Sequence, residues 1–595
     1  MARTTRASRS PDQPDPPRGV TRTTASVDPS STSPALPPES SPPELIVVGH
    51  LDAGLHITPT GATAAPGWEL GELATIAADP AFTLEPLFGA SEARVRASAP
   101  EAATAAQGVP LGLAMAAFYR VAAPEASFSE LQELATRLLT SPAVEAAYVK
   151  PSSSAPVILD GAPAVVATTD APPETPDFTA RQGYLDAAPG GIDARWAWTQ
   201  PGGRGGGVRI IDCEWGWRFT HEDLRVNTGG LVAGTASADT NHGTAVLGEI
   251  SGDVNAVGIT GITPDAVISA SSFTSTPSAT AIRAAADRLG QGDIILLEIH
   301  RSGPGANGSG QDGFIAVEWW PDDYLAIRYA VERGIVVVEA AGNGDRNLDD
   351  AIYDRSLGFP AWWRNPFRRR ELDSGAVVVG AGAPPSGNQG PDRSRLGFSN
   401  HGAVVDAQGW GREVTTTGYG WLQGGTNEDL WYTNDFSGTS SASPIVVGAV
   451  AAVQGALRAA GRPPLSPARA RELLRATGSA QQDAPGRPAT QRIGTRPNLR
   501  QLIPAALANA QWTGTQFTGS LGPNATARWF TFGWPAHWHV VWTALPTSPR
   551  PGAPQISFRT RVERASDAHA TYWIEITNLT NTPVNVEGRF AVLGW

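Results

Sequence analysis

The chain has 595 residues, 41% of them apolar and 17% charged, a length that corresponds to several domains at about 100–200 residues each. A formal net charge of −12 argues against a general binder of nucleic acid or of anionic membranes. The one cysteine, Cys213, rules out an intrachain disulfide framework, and the lack of an apolar run of about 18 residues argues against a transmembrane helix.

Residues 1–43 are rich in Ser, Thr, Pro and Arg. They can bury too little apolar surface to offset their ordering entropy, which predicts disorder. No apolar stretch of about 7–15 residues follows the early arginines, so a standard signal peptide is not expected; this leaves the cytoplasm or another export route. Lys150 is the sole lysine, and with 65 Gly and 50 Pro the usage reads as that of a GC-rich, bacterial genome.

Residues 44–150 predict a strand region at 45–57, a helix at 68–78 (Leu70, Leu73, Ile76) and a strand at 82–88. A Gly/Ala-rich loop follows, then a strand at 116–122, a helix at 127–139 and a strand at 144–149. Ser127 and Glu130 have capping-box spacing at the start of that helix. The order β-α-β-β-α-β is that of a ferredoxin-like α+β domain. Residues 151–176, rich in Pro, Ala, Ser and Thr, read as a linker.

From 177 to 504, short β-branched runs (208–211, 294–297, 335–338, 376–379) alternate with helices such as 279–289 and 324–333. That alternation predicts an α/β domain with a parallel sheet flanked by helices. Residues 512–595 hold seven of the 19 tryptophans. Strands at 529–532, 537–542, 556–562, 571–577 and 584–592 predict a C-terminal β-sandwich. Its tryptophans are expected mainly in its core; exposed ones would serve binding of a surface, a glycan or a protein.

Three segments carry chemistry. Gly-Val-Arg-Ile-Ile-Asp (207–212) ends a buried strand in a carboxylate. Asn-His-Gly-Thr (241–244) places a histidine before an apolar helix, with a glycine for a tight turn. Phe-Ser-Gly-Thr-Ser-Ser-Ala-Ser-Pro (436–444) places Ser440 at a helix N-terminus. A serine hydroxyl is a weak nucleophile until an imidazole takes its proton, and the imidazole needs a carboxylate to fix its tautomer.

The chain order Asp, His, Ser and these motifs resemble the subtilisin-like serine peptidases, the subtilase family. Ala-Gly-Asn-Gly (341–344), Phe-Ser-Asn-x-Gly (398–402) and Gly-Ile-Thr-Pro-Asp-Ala (261–266) extend the likeness over 177–504. The resemblance implies a serine endopeptidase acting on protein or peptide substrates through an acyl-enzyme, with Ser440 as nucleophile, His242 as base and Asp212 as the orienting acid. Asn343 would serve the oxyanion hole. No cofactor would be required for the chemistry. It implies a propeptide role for 44–150, hence a self-processing zymogen cut within 151–180, and a candidate calcium site at Asp223 and Asn255 with carbonyls of Asp253, Val257 and Ile259.

Two departures stand out. Glu298, Ile299 and His300, followed by Arg301, replace the small residues of the family's substrate-binding strand, and Cys213, Glu214 and Trp215 follow the acid. Cys213 is expected to be a packed, inert thiol. A sedolisin-type acid peptidase would use a glutamate in place of His242. A catalytically impaired binding protein of the same fold is the alternative that the 298–301 strand keeps open.

Overall fold

The computed structural model describes residues 40–594 apart from 59–60, 101–102, 107, 124–125, 159–171, 173, 356, 509–511 and 549. Most of the segment expected to be disordered, and much of the linker, lie outside the described residues.

The N-terminal domain contains β1 (Glu44–Gly49), α1 (Glu72–Ala78), β2 (Thr83–Pro86), β3 (Phe118–Ala122), α2 (Phe128–Leu138) and β4 (Val144–Lys150). The antiparallel sheet runs β2-β3-β1-β4, the strand order of a ferredoxin-like unit. α2 carries the full capping box: Ser127 Oγ accepts from Glu130 N, and Glu130 accepts in return from Ser127 N. Leu131, Leu134 and Leu138 bury its apolar face against Leu45, Val47 and Tyr119. The stretch between β2 and β3 is not a loop throughout, because Glu92–Ser98 and Leu111–Ala116 form short helices. Both are rich in alanine, a strong helix former; Met115 and Ala116 join the core of the next domain.

The central domain is built on a seven-stranded parallel sheet. Its elements in chain order are β6 (Arg209–Glu214), β7 (Thr228–Ala233), α3 (Asn241–Ser251), β8 (Val267–Ser272), α4 (Ser278–Arg288) and β9 (Ile294–Leu297). They continue with β10 (His300–Ser302), β11 (Phe314–Ala316), α5 (Pro321–Glu332), β12 (Val336–Ala340), β13 (Val377–Gly382), β14 (Val405–Trp410) and α6 (Thr439–Ala459). The label β5 belongs to Ser153–Ser154, ahead of them. The sheet order is β7-β8-β6-β9-β12-β13-β14. Ile294–Leu297 is buried throughout, as expected of a parallel strand covered by helices on both faces. α6 is apolar on all sides because the protein surrounds it; it is the one described helix long and apolar enough to cross a membrane, and its apolar window is wholly buried here.

After β6 the chain builds one side of the sheet, through β7 and β8, and then returns to build the other from β9 onward. The gap between the carboxyl ends of β6 and β9 is therefore a topological switch point, where open α/β sheets place their sites.

The C-terminal domain packs two three-stranded antiparallel sheets. Its strands are β15 (Trp512–Leu521), β16 (Thr526–Pro535), β17 (His539–Pro546), β18 (Ile556–Glu563), β19 (His569–Asn578) and β20 (Val584–Gly594). Trp534 and Trp542 are core residues. Phe530 and Phe532 stay exposed, and Phe530 stacks on Trp573 at 5.2 Å. β15 was not expected from the sequence because its polar, glycine-interrupted run lacks alternation. The ring of Trp529, stacked on Phe517, fills the space a side chain at 519 would need.

Candidate active site

The residues expected as acid, base and nucleophile, Asp212, His242 and Ser440, come from β6, the first turn of α3 and the start of α6. Side chains alternate along a strand, so Asp212 and Glu214 lie on one face of β6 and Cys213 on the other. His242 is fully buried, and its Nδ1 lies 2.7 Å from Glu214 Oε2. Asp212 Oδ2 instead accepts a 2.7 Å hydrogen bond from Trp217 Nε1. The orienting contact expected of Asp212 is thus made by Glu214, two residues further along. The physical reason is reach: Glu214 is the last residue of β6 and one methylene longer, while the Trp217 indole lies on the Asp212 carboxylate.

Burial raises the Asp212 carboxyl to about 6, against the hydrogen bonds from Glu214 and Trp217 that lower it. Burial pushes the His242 imidazole down to about 3. The glycine after His242 is needed for close approach rather than for a turn, since a Cβ at Gly243 would stand 2.5 Å from the Trp217 ring. Cys213 is fully buried, and its thiol is pushed well up by burial and by the Asp212 charge, so it holds no thiolate.

Ser440 is the second residue of α6 and is fully buried. Gly438 precedes the helix at φ +99, a conformation open to glycine. Asn343 Oδ1 accepts from Thr439 N and Thr439 Oγ1, both at 2.9 Å, which turns its amide nitrogen away from the helix; that nitrogen donates to Gln311 Oε1 at 3.0 Å. The Phe-Ser-Asn-x-Gly segment supports this loop, because Asn400 Nδ2 donates to Ala341 O and Phe314 O, each at 2.7 Å. Ser441 and Ser443 anchor α6 through Trp410 O and Thr439 O.

The linker is ordered where it meets the site. β5 pairs antiparallel with β10 on one side and with Ser40–Ser41 on the other, so these two serines leave the expected disordered segment for a strand. Gln311 Nε2 donates to Ala155 O at 3.1 Å, and Ser440 N donates to Pro156 O at 3.2 Å. A Cβ at Gly438 would lie 2.2 Å from that same oxygen and 3.1 Å from Asn343 Nδ2. The Pro156 carbonyl is therefore held by the Ser440 N–H, while the Asn343 amide nitrogen donates to Gln311.

Of the three residues expected to line the pocket, His300 borders this segment, with Nε2 at 3.2 Å from Ser154 Oγ. Ile299 packs in the core instead. Glu298 is also fully buried. Burial and the Asp212 charge push its carboxyl well up, partly countered by the Ser440 and Ser443 hydroxyls.

Asp223 and Asn255 do meet, but as a hydrogen-bonded pair. Asn255 Nδ2 donates to Asp223 Oδ1 at 2.6 Å; Ile259 N and Tyr432 OH donate to Asp223 Oδ2 at 2.7 and 2.9 Å. The Asn255 oxygen accepts from Val257 N. A calcium cage needs about 6–8 converging oxygens, and here donors hold both Asp223 oxygens, so these residues do not fit the ion. Burial raises the Asp223 carboxyl to about 6, against the hydrogen bonds from Asn255, Ile259 and Tyr432 that lower it. Excess EDTA is expected to leave the melting temperature within about 1 °C of the untreated protein; a fall of several degrees in a thermal melt would restore the calcium reading.

Residues 219–494 match the subtilase family. Over these residues the central domain is similar to the subtilases. The match begins after β6, the strand that carries Asp212 and Glu214. The chain is similar to subtilisin BL of Lederbergia lenta, 27% identical over 256 residues, covering 42% of this chain and 77% of that protein. It is 26% identical to an alkaline protease of Alkalihalobacillus alcalophilus, again over 42% of this chain but 54% of the relative. Among solved structures, the leader-peptide-processing protease EpiP of Staphylococcus aureus aligns at TM-score 0.44 and 16% identity, covering 79% of this chain and 100% of that one. Fervidolysin of Fervidobacterium pennivorans aligns at TM-score 0.42 and 17% identity, covering 90% and 72%. The family and its curated relatives support a serine-type peptidase.

Proposed function

We propose that the chain is a serine endopeptidase made as a self-inhibited precursor. Ser440 attacks a peptide carbonyl and His242 takes its proton. Glu214 holds the His242 Nδ1 tautomer and stabilises the imidazolium that forms. The Ser440 N–H and the Asn343 amide bind the developing oxyanion. His242 then protonates the leaving amine, and water releases the acyl group. Domain 44–150 and its trailing segment act as the propeptide.

One observation carries this reading: a peptide carbonyl accepts from Ser440 N beside Asn343, where the oxyanion would form. The test is labelling with a fluorophosphonate probe, wild type against Ser440→Ala. Labelling is expected in the wild type and absent from the variant. A folded wild type that neither labels nor cleaves peptides would overturn the reading.

A further inference from the structure

We propose that this site cleaves after proline, and that its first substrate is the Pro156–Val157 bond of its own chain. The inference rests on the peptidase reading above and names its substrate class: peptides with small residues and then a proline before the scissile bond.

The groove grips residues 153–158 on both sides of one bond. Ser153 and Ser154 pair with Arg301 and His300. The Ala155 carbonyl accepts from Gln311 and the Pro156 carbonyl from Ser440 N. Beyond it, Ser437 Oγ donates to the Ile158 carbonyl. The carbonyl beside the nucleophile belongs to proline, so the bond presented for attack is Pro156–Val157. Ser153, Ala155 and Pro156 are buried, so this contact is more than a surface crossing.

The chemistry of proline suits the position. The strand ladder stops at Ser154, and a residue without an N–H forfeits no ladder bond at 156. The ring fixes its own φ and biases Ala155 toward extended backbone, the form that follows naturally from pairing with β10. A segment preset in that form loses less entropy on docking.

In the reaction, Ser440 Oγ bonds to the Pro156 carbonyl carbon and its proton passes to His242. The Pro156–Val157 C–N bond breaks as His242 returns that proton to the Val157 nitrogen. Water then hydrolyses the ester, leaving a Pro156 carboxylate and a free Ser440 hydroxyl.

The experiment uses the full chain, wild type and Ser440→Ala, with N-terminal sequencing of each product. Wild type is also given quenched peptides Ser-Ser-Ala-Xaa-Val-Ile, with proline, alanine, leucine or phenylalanine at Xaa. Expected are a new N-terminus at Val157 in the wild type alone, and kcat/KM for the proline peptide at least about tenfold above leucine and phenylalanine. An uncut chain, a Ser440-dependent cut elsewhere, or leucine and phenylalanine peptides cleaved as fast, overturns the post-proline inference. Fluorophosphonate labelling in those cases leaves the peptidase reading standing. No labelling and no peptide cleavage overturns both.

Discussion

Glu214→Gln is expected to lower kcat/KM on a peptide substrate by about 10³–10⁴-fold, whereas Asp212→Asn costs about tenfold or less. Glutamine keeps the size of Glu214 but can present an N–H toward His242 Nδ1, favouring the wrong tautomer and leaving the imidazolium unstabilised. Asp212 meets Glu214 but has the Trp217 indole as a further partner. Its Oδ2 accepts from the Trp217 indole, and burial raises its carboxyl to about 6. Asparagine at 212 still offers an oxygen to that indole, so His242 keeps its partner. Trp217→Phe adds a readout that a general packing defect would not share: it removes the Asp212 donor while Glu214 stays in place, so activity should fall less than in Glu214→Gln. The assignment is abandoned if Asp212→Asn proves the more damaging substitution in a folded protein.

Lys150→Met should destabilise the uncut chain by about 3–5 kcal/mol. The sole lysine is wholly buried between the N-terminal and central domains. Its Nζ lies 2.6 Å from Asp322 and 2.9 Å from Asp323, the first-turn acids of α5, and Arg301 lies 2.8 Å from Glu44 in the same cluster. Burial works against the lysine charge, but Asp322, Asp323 and Glu44 overcome it and hold the amine above its ordinary value. Without Lys150, Arg301 is the one buried cation left beside three buried acids, with Arg120 acting on Glu44. A denaturant titration of Lys150→Met in the Ser440→Ala background measures the loss. Lys150→Met/Asp322→Asn should recover part of it, because one uncompensated charge is gone. Arg204→Ala, which breaks a half-exposed pair with Asp265, should cost less than about 1 kcal/mol. A Lys150→Met loss no larger than that would show that the cluster does not tie the domains together.

The buried cluster also bears on release of the N-terminal domain. Cutting the chain at the groove leaves these ion pairs intact, so a cleaved propeptide would stay docked until they are broken.

Much of the architecture was legible in the sequence because it rests on local patterns. Apolar β-branched runs and alanine-rich helices predicted a parallel sheet, and Ser127 with Glu130 marked the start of α2. The motifs around His242, Asn343 and Ser440 marked three parts of the site, since each couples a side chain to a local backbone need: the close approach at Gly243, the positive φ of Gly438, the helix that starts at Thr439. The acid was not decided that way. Alternation puts Asp212 and Glu214 on one face of β6, and only the packing of Trp217 against Asp212 leaves His242 to Glu214. Nor could composition reveal that Ser153–Ile158 would leave the linker for the groove, because its pairing partners lie about 150 residues further along the chain. Local sequence determined the elements and the motif around Ser440; long-range packing decided which carboxylate contacts His242 and which peptide carbonyl contacts Ser440.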